Sequence, residues 1–298
     1  MGYWLQTINT APEELLELCV LAEELGFEGV TEGDHWFMPA DSDEADPDER
    51  AAMPWDYSFN DPFVTAGAVL TNTSTLKFGP GVLVLANRTN AFTVAKAAAT
   101  AARIGGDRFV LGVGAGWMKE EYDIAGVDWS TRVPRTVEMI DVLRKLWTGG
   151  PVEHHGRFFD FRPTHAYPAP NRPIPIYLGG LAPAALRRAG RVADGLMGAA
   201  SRLEEIEQQI ACVEEGRREA DREKEPFHYM SGLSHGADGG PPTADDHRRL
   251  IDLGVTQIKF GPVEHRLGKP YCTFEEKKRE VERFAESVMS LVPLPKVG

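Results

Sequence analysis

Cysteine is scarce in this chain of 298 residues, and its three copies, Cys19, Cys212 and Cys272, lie far apart. No CxxC pair exists. A disulfide framework and a zinc knuckle are thereby excluded as organising devices, and a reducing, cytoplasmic setting is expected. Positive charge is also short: Lys and Arg number 32 against 45 Asp and Glu, a net charge of −13. Non-specific attraction to nucleic acid or to an anionic membrane is therefore not expected. No apolar run reaches the length of a membrane span, and no basic stretch followed by an apolar one marks a leader. A G-x-S-x-G turn is missing, and no cysteine stands in a recognisable catalytic setting, so a nucleophilic hydrolase is disfavoured. An anionic ligand would need a local site of backbone N–H groups and a few arginines.

What the chain does have is glycine in a particular place. The stretch Arg108–Tyr122, RFVLGVGAGWMKEEY, begins as a buried strand through Phe109, Val110, Leu111 and Val113. Gly112, Gly114 and Gly116 then fall on alternate positions, which share one face of a strand. A face without side chains permits close approach by a planar ring or a phosphate. The spacing is G-x-G-x-G, not the G-x-G-x-x-G that opens a helix in dinucleotide-binding units. Trp117, Glu120 and Glu121 follow at the strand's exit.

Around this stretch, strand-like and helix-like segments alternate. Strands are expected at 2–9, 29–36, 76–85, 108–116, 174–180, 194–199, 227–233 and 255–262. Helices are expected between them, the first opened by a capping box of Thr10 and Glu13 and stopped by Gly26. The third strand is interrupted by Gly79, Pro80 and Gly81, where an irregular peptide is expected. The acidic run Asp41–Arg50 reads as a solvated excursion and HHGRFFDF (154–161) as a local hairpin. Eight such repeats in fewer than 300 residues favour one closed (β/α)8 barrel with insertion segments, a single domain over 1–298. The loops at the carboxyl ends of the strands should carry the chemistry.

Those ends bring several residues together: Asp34, His35 and Trp36 after the second strand; Gly81, Val82, Asn87 and Arg88 at the third; Gly114, Gly116, Trp117 and Glu120 at the fourth. At the fifth, Gly179, Gly180 and a helix opened by Pro183 are the best candidate for an anion site, with Arg187, Arg188 and Arg191 supplying charge; the alternative is an ordinary βα loop with a surface arginine face. His35 is the acid/base candidate, beside Asp34. Neither Asp34–His35 nor His154–His155 has a third ligand at metal-motif spacing, so no metal is expected. Trp36, Phe37, Trp55, Tyr57 and Trp117 are candidate pocket walls.

Taken together, AEELGFEGVTEGDH (22–35), FGPGVLVL (78–85), GDRFVLGVGAGWMKEEY (106–122), HGRFFDF (155–161) and PIYLGGLAPAALRRAGRVADG (175–195) resemble the luciferase-like monooxygenase superfamily, and within it the flavin- or coenzyme F420-dependent oxidoreductases. The resemblance implies a TIM barrel of the bacterial luciferase type, with a flavin or deazaflavin over the strands' carboxyl ends. It implies that Asp34 and His35 lie beside the ring and that a non-proline cis peptide at Gly81–Val82 forms a bulge behind it. The cofactor-binding set it suggests is Asp34, His35, Gly81, Val82, Gly114, Gly116, Trp117, Gly179, Gly180 and Leu181, with the phosphate at Gly179, Gly180 and the following helix. His35, Asp34 and Glu120 are then the catalytic candidates. A dimer is also implied.

One departure stands out. In related sugar-phosphate dehydrogenases a glutamate directly follows the last glycine of the fourth strand; here that residue is Trp117, which argues against a sugar phosphate. The expected activity is F420-dependent hydride transfer to or from a small organic substrate. The alternative is an FMN-dependent, two-component monooxygenase that uses O2 and is fed by a separate reductase. A third reading is a flavin-binding barrel without turnover.

Overall fold

The computed structural model describes residues 1–39 and 56–294. The acidic run Asp41–Arg50 and Trp55 lie outside the described residues. The elements in chain order are β1 (Gly2–Gln6), α1 (Pro12–Glu24), β2 (Gly29–Glu32), α2 (Pro62–Asn72), β3 (Lys77–Pro80), β4 (Leu83–Val84) and α3 (Ala91–Ile104). They continue with β5 (Leu111–Gly114), α4 (Lys119–Ala125), α5 (Arg132–Leu146), the hairpin β6 (Pro151–His155) and β7 (Asp160–His165), β8 (Ile176–Gly179) and α6 (Pro183–Val192). The last are β9 (Gly195–Ser201), α7 (Leu203–Glu219), β10 (His228–Leu233), α8 (Ala244–Asp252), β11 (Gln257–Phe260), α9 (Val263–Leu267) and α10 (Phe274–Phe284).

The main sheet has nine strands in the order β3-β2-β1-β11-β10-β9-β8-β5-β4, and its paired neighbours run parallel. β3 and β4 are two halves of one stave. Phe78 of β3 bridges Phe109 just ahead of β5, with Phe78 N to Arg108 O and Val110 N to Phe78 O both 3.0 Å. β4 pairs with β5 itself. The two edges of the sheet thus meet on the same stretch of chain, and eight staves form a (β/α)8 barrel. The break in the third stave is where Gly79, Pro80 and Gly81 put it, and the Gly81–Val82 peptide is cis.

Alternation along each strand divides the side chains between two environments. Outward positions such as Leu5, Val30, Phe78, Leu111, Val113, Ile176, Leu178, Ile258 and Phe260 pack into the main core beneath the helices. At about 1.5–3 kcal/mol for each large apolar side chain buried, this layer carries most of the stabilisation. The lumen holds a smaller cluster of Trp4, Val110, Tyr177, Met197 and Met230, with Val82 against it. A lumen that contributes less to stability has room for glycine, polar atoms and charge.

Arg108 fixes the register of the glycine-rich strand. Its guanidinium donates to the carbonyls of Gly105 (2.8 Å), Leu70 (2.6 Å), Thr73 (3.1 Å) and Leu76 (2.7 Å). It thereby satisfies carbonyls at the end of α2 that have no helical partner.

Local details differ from the sequence expectation. The Thr10–Glu13 capping box does not form: the N-cap of α1 is Ala11, with Pro12 in the first turn, and the Thr10 hydroxyl instead accepts from Lys277 Nζ at 3.2 Å. A long-range cation wins over the local cap. A helix, α4, follows the glycine strand closely, with acids in its first turn and Gly126 in the left-handed region at its end. No helix among the described residues is long and apolar enough to cross a membrane.

Candidate active site at the carboxyl mouth of the barrel

The chain leaving β2 carries Asp34, His35 and Trp36 into the mouth. Asp34 is buried, and both its oxygens receive Arg88 Nη2, at 2.6 and 2.8 Å. Its Oδ2 also accepts from Val84 N at 3.1 Å, which ties the exit of β2 to β4. Burial pushes the Asp34 carboxyl above its ordinary range, against the pull of the Arg88 guanidinium. Arg88 also lies over the Trp36 ring at 5.2 Å.

His35 points its Nδ1 at Glu121 Oε1, 3.3 Å away. Its ring is fixed edge-on by Phe59 and Trp117, at centroid distances of 4.9 and 5.3 Å. Glu121 is fully buried; it also accepts from Trp36 N at 2.8 Å and from Asn87 Nδ2 at 3.4 Å. A carboxylate that holds one ring nitrogen orients the imidazole and leaves Nε2 to meet a ligand. Among the described residues Nε2 has no hydrogen-bond partner.

Glu120 is exposed on the first turn of α4, so the carboxylate that reaches His35 is its neighbour Glu121. Adjacent helix residues point about 100° apart, and only one of the two can face the barrel. The signal lay in the spacing: Met118, Glu121, Tyr122 and Ala125 recur at i, i+3, i+4 and i+7, the period of a packed face.

The bare glycine face serves the broken stave. A Cβ on Gly114 would stand 2.7 Å from Val82 Cγ2, and one on Gly179 would stand 2.9 Å from Val82 Cγ1. A Cβ on Gly112 would stand 2.2 Å from the Pro80 carbonyl oxygen, and one on Gly81 would stand 2.8 Å from Thr31 Cβ. The glycines of β5 and β8 let the Gly81–Val82 bulge enter the barrel, where Val82 joins the lumen cluster. Gly116, at φ +70°, makes the same allowance for Val84.

The turn after β8 brings Gly179, Gly180 and the exposed Leu181 to the start of α6, whose N-terminal N–H groups no side chain caps. Of the three arginines on this helix, Arg187 and Arg191 pair with Glu215 (3.0 Å) and Glu219 (2.5 Å) on α7. Arg188 faces like charge from Arg191 and Arg132, and burial holds its pKa below the ordinary arginine value. Three polar atoms around the mouth, Thr31 Oγ1, Asn87 Oδ1 and Arg88 Nε, are buried without a partner among the described residues. Such atoms fit a site where a ligand completes the hydrogen bonding. The clefts of about 450 Å³ between α1 and α10 and about 250 Å³ between α1 and α2 lie away from this mouth, on the helical layer.

The luciferase-like monooxygenase family is matched by residues 1–280. The chain belongs to that family. Membership makes it an oxidoreductase. An uncharacterized protein of Mycobacterium tuberculosis is 37% identical over 283 residues, 93% of this chain and 95% of the relative. An F420-dependent glucose-6-phosphate dehydrogenase of Gordonia bronchialis is 30% identical over 260 residues, 84% of this chain and 72% of that enzyme. Among solved structures, an F420-dependent secondary alcohol dehydrogenase in complex with an F420–acetone adduct superposes with a TM-score of 0.78 at 20% identity, covering 98% of both chains. That likeness is one of fold.

Proposed function

We propose that the chain is a coenzyme F420-dependent oxidoreductase that moves a hydride between the deazaflavin and a small organic substrate. The observation that carries the reading is the His35–Glu121 pair, an oriented imidazole with Nε2 unengaged at the barrel mouth. The F420-dependent relatives support the cofactor.

In this reading Asp34, His35 and the Gly81–Val82 bulge hold the ring. Gly179, Gly180, Leu181 and the uncapped start of α6 hold the phosphate. The uncapped helix and the unpartnered Thr31, Asn87 and Arg88 atoms suit a polar ligand of this kind. Bound there, reduced F420 supplies hydride from its C5 and does not activate oxygen. The protein's part is orientation and proton transfer. Arg88 neutralises Asp34, so this carboxylate is fixed before any ligand arrives. Glu121 keeps His35 in one orientation, and His35 Nε2 gives or takes the proton that accompanies hydride transfer. Trp117 stands where a sugar-phosphate dehydrogenase has its glutamate, so the substrate is taken to be other than a sugar phosphate.

The test is anaerobic incubation with reduced F420 and a panel of activated alkenes, imines and ketones, followed by the return of deazaflavin fluorescence. Substrate-dependent oxidation without O2 supports hydride transfer. Turnover only with reduced FMN and O2 overturns it in favour of the monooxygenase.

A further inference from the structure

The lumen contains a charge, Lys259, that the residues above do not use. Lys259 lies on β11 between Ile258 and Phe260, which face the outer core, so it shares the lumen face with Gln257. Its Nζ reaches past β10 and donates to the Gly198 carbonyl of β9 at 2.7 Å. A bulge makes that carbonyl available: β9 places Gly198 and Ala199 opposite the single Ser231 of β10. Among the described residues no carboxylate pairs with Lys259.

Among the described residues the strand positions beside Lys259 are uncharged, and the acid on Trp4, Glu28, which accepts from its Nε1 at 3.1 Å, is already paired with Lys77. β1 sets Trp4 in register with Lys259, and β10 passes it as Gly232, where a Cβ would stand 2.4 Å from the Lys259 carbonyl oxygen. From its own strand comes Gln257, whose Nε2 donates to Tyr177 Oη at 3.2 Å and whose Oε1 is buried without a partner. Tyr177, the titratable group facing the lumen from β8, is kept neutral by burial. Burial pushes the Lys259 ammonium down to about 8. A half-buried cation resting on a carbonyl beside a bare glycine lacks its strongest kind of partner.

We propose that Lys259 is the recognition group for the carboxylate of an apolar organic acid, the substrate class this barrel takes. The buried cluster of Trp4, Tyr177, Met197 and Met230 closes the lumen with apolar atoms, and the half-buried ammonium exchanges the Gly198 carbonyl for the ligand's carboxylate. In a protein of net charge −13 this gives an anion a specific reason to enter. The word substrate rests on the hydride-transfer reading; the binding does not.

The test is a titration of the purified full-length protein with cinnamate and with its neutral amide, cinnamamide, read by tryptophan fluorescence. Wild type should bind the acid at least about tenfold more tightly than the amide, the usual margin of a charge-assisted hydrogen bond. Lys259→Met should bind the two alike, and Lys259→Arg should keep the preference. Replacing a desolvated cation by an apolar chain of similar length should leave the thermal midpoint unchanged or higher, which separates lost recognition from lost folding. Equal binding of acid and amide by wild type, binding of neither, or a preference that survives in Lys259→Met would each overturn the assignment. Loss of F420 binding with the acid preference intact would count against the proposed function alone.

Discussion

The two arcs of the barrel mouth treat charge in opposite ways. On the arc from β2 to β5, Asp34 is clamped by Arg88 and Glu121 receives His35, Trp36 N and Asn87. On the arc from β9 to β11, Lys259 rests on a backbone carbonyl and pairs with no carboxylate among the described residues. The first arc is organised before any ligand binds, as a group that must hold a proton in a defined direction requires. The second is left incomplete, as a group whose partner arrives with the ligand requires. The difference teaches that one lumen can serve orientation on one side and selection on the other.

The sharpest break in this comparison is His35→Ala. Turnover at saturating F420 should fall by roughly a hundredfold or more, beyond any loss of F420 affinity from the missing ring contact, as expected for a lost acid/base. An unchanged kcat would remove His35 from the chemistry. Next is the wall between the arcs. Gly114→Ala pushes a methyl against Val82, and overpacking of this kind costs about 1–3 kcal/mol in a denaturant titration. Adding Val82→Ala should restore part of the loss. A Gly114→Ala protein as stable as wild type would mean that the bulge is not held by the glycines. The third test compares adjacent glutamates. Glu121→Gln should lower turnover by about tenfold, because the amide holds the His35 ring less firmly in its orientation. Glu120→Gln should stay within about twofold. Equal effects would dissolve the distinction between the buried and the exposed residue.

The alternation of segments made the barrel readable, because strand and helix periods differ and glycine and proline mark the joints. The broken third stave was readable for the same reason: Pro80 cannot donate to a sheet. The parity of the two acids was harder, since a seven-residue helix offers only two turns of pattern. Reading the bare glycine face as a platform for a ligand left out its nearest occupant, Val82, which approaches from a neighbouring stave. Lys259 sits in VTQIKFGP, which reads as a strand. Its lack of a counter-charge depends on what stands at the same height on β1, β9 and β10, and that is a property of register.

A separate expected effect concerns a buried carboxylate outside both arcs. Glu32 faces outward from β2 and accepts from Thr7 Oγ1 and Asn60 Nδ2; burial pushes its carboxyl from the ordinary 4.5 to about 8. Between those values the folded protein retains a proton that the unfolded chain has lost. Stability should therefore fall as pH rises from about 4.5 to about 8. Glu32→Gln should flatten that slope in denaturation midpoints measured across the range; an identical slope would assign it to other groups.

The central claim is that this mouth takes a deazaflavin and passes a hydride. Its most direct measurement is a pair of calorimetric titrations of the purified protein, oxidised F420 against oxidised FMN. The account predicts F420 binding at least about tenfold tighter than FMN, a difference of about 1.4 kcal/mol. Tight FMN binding with weak F420 binding, or binding of neither by folded protein, would contradict it.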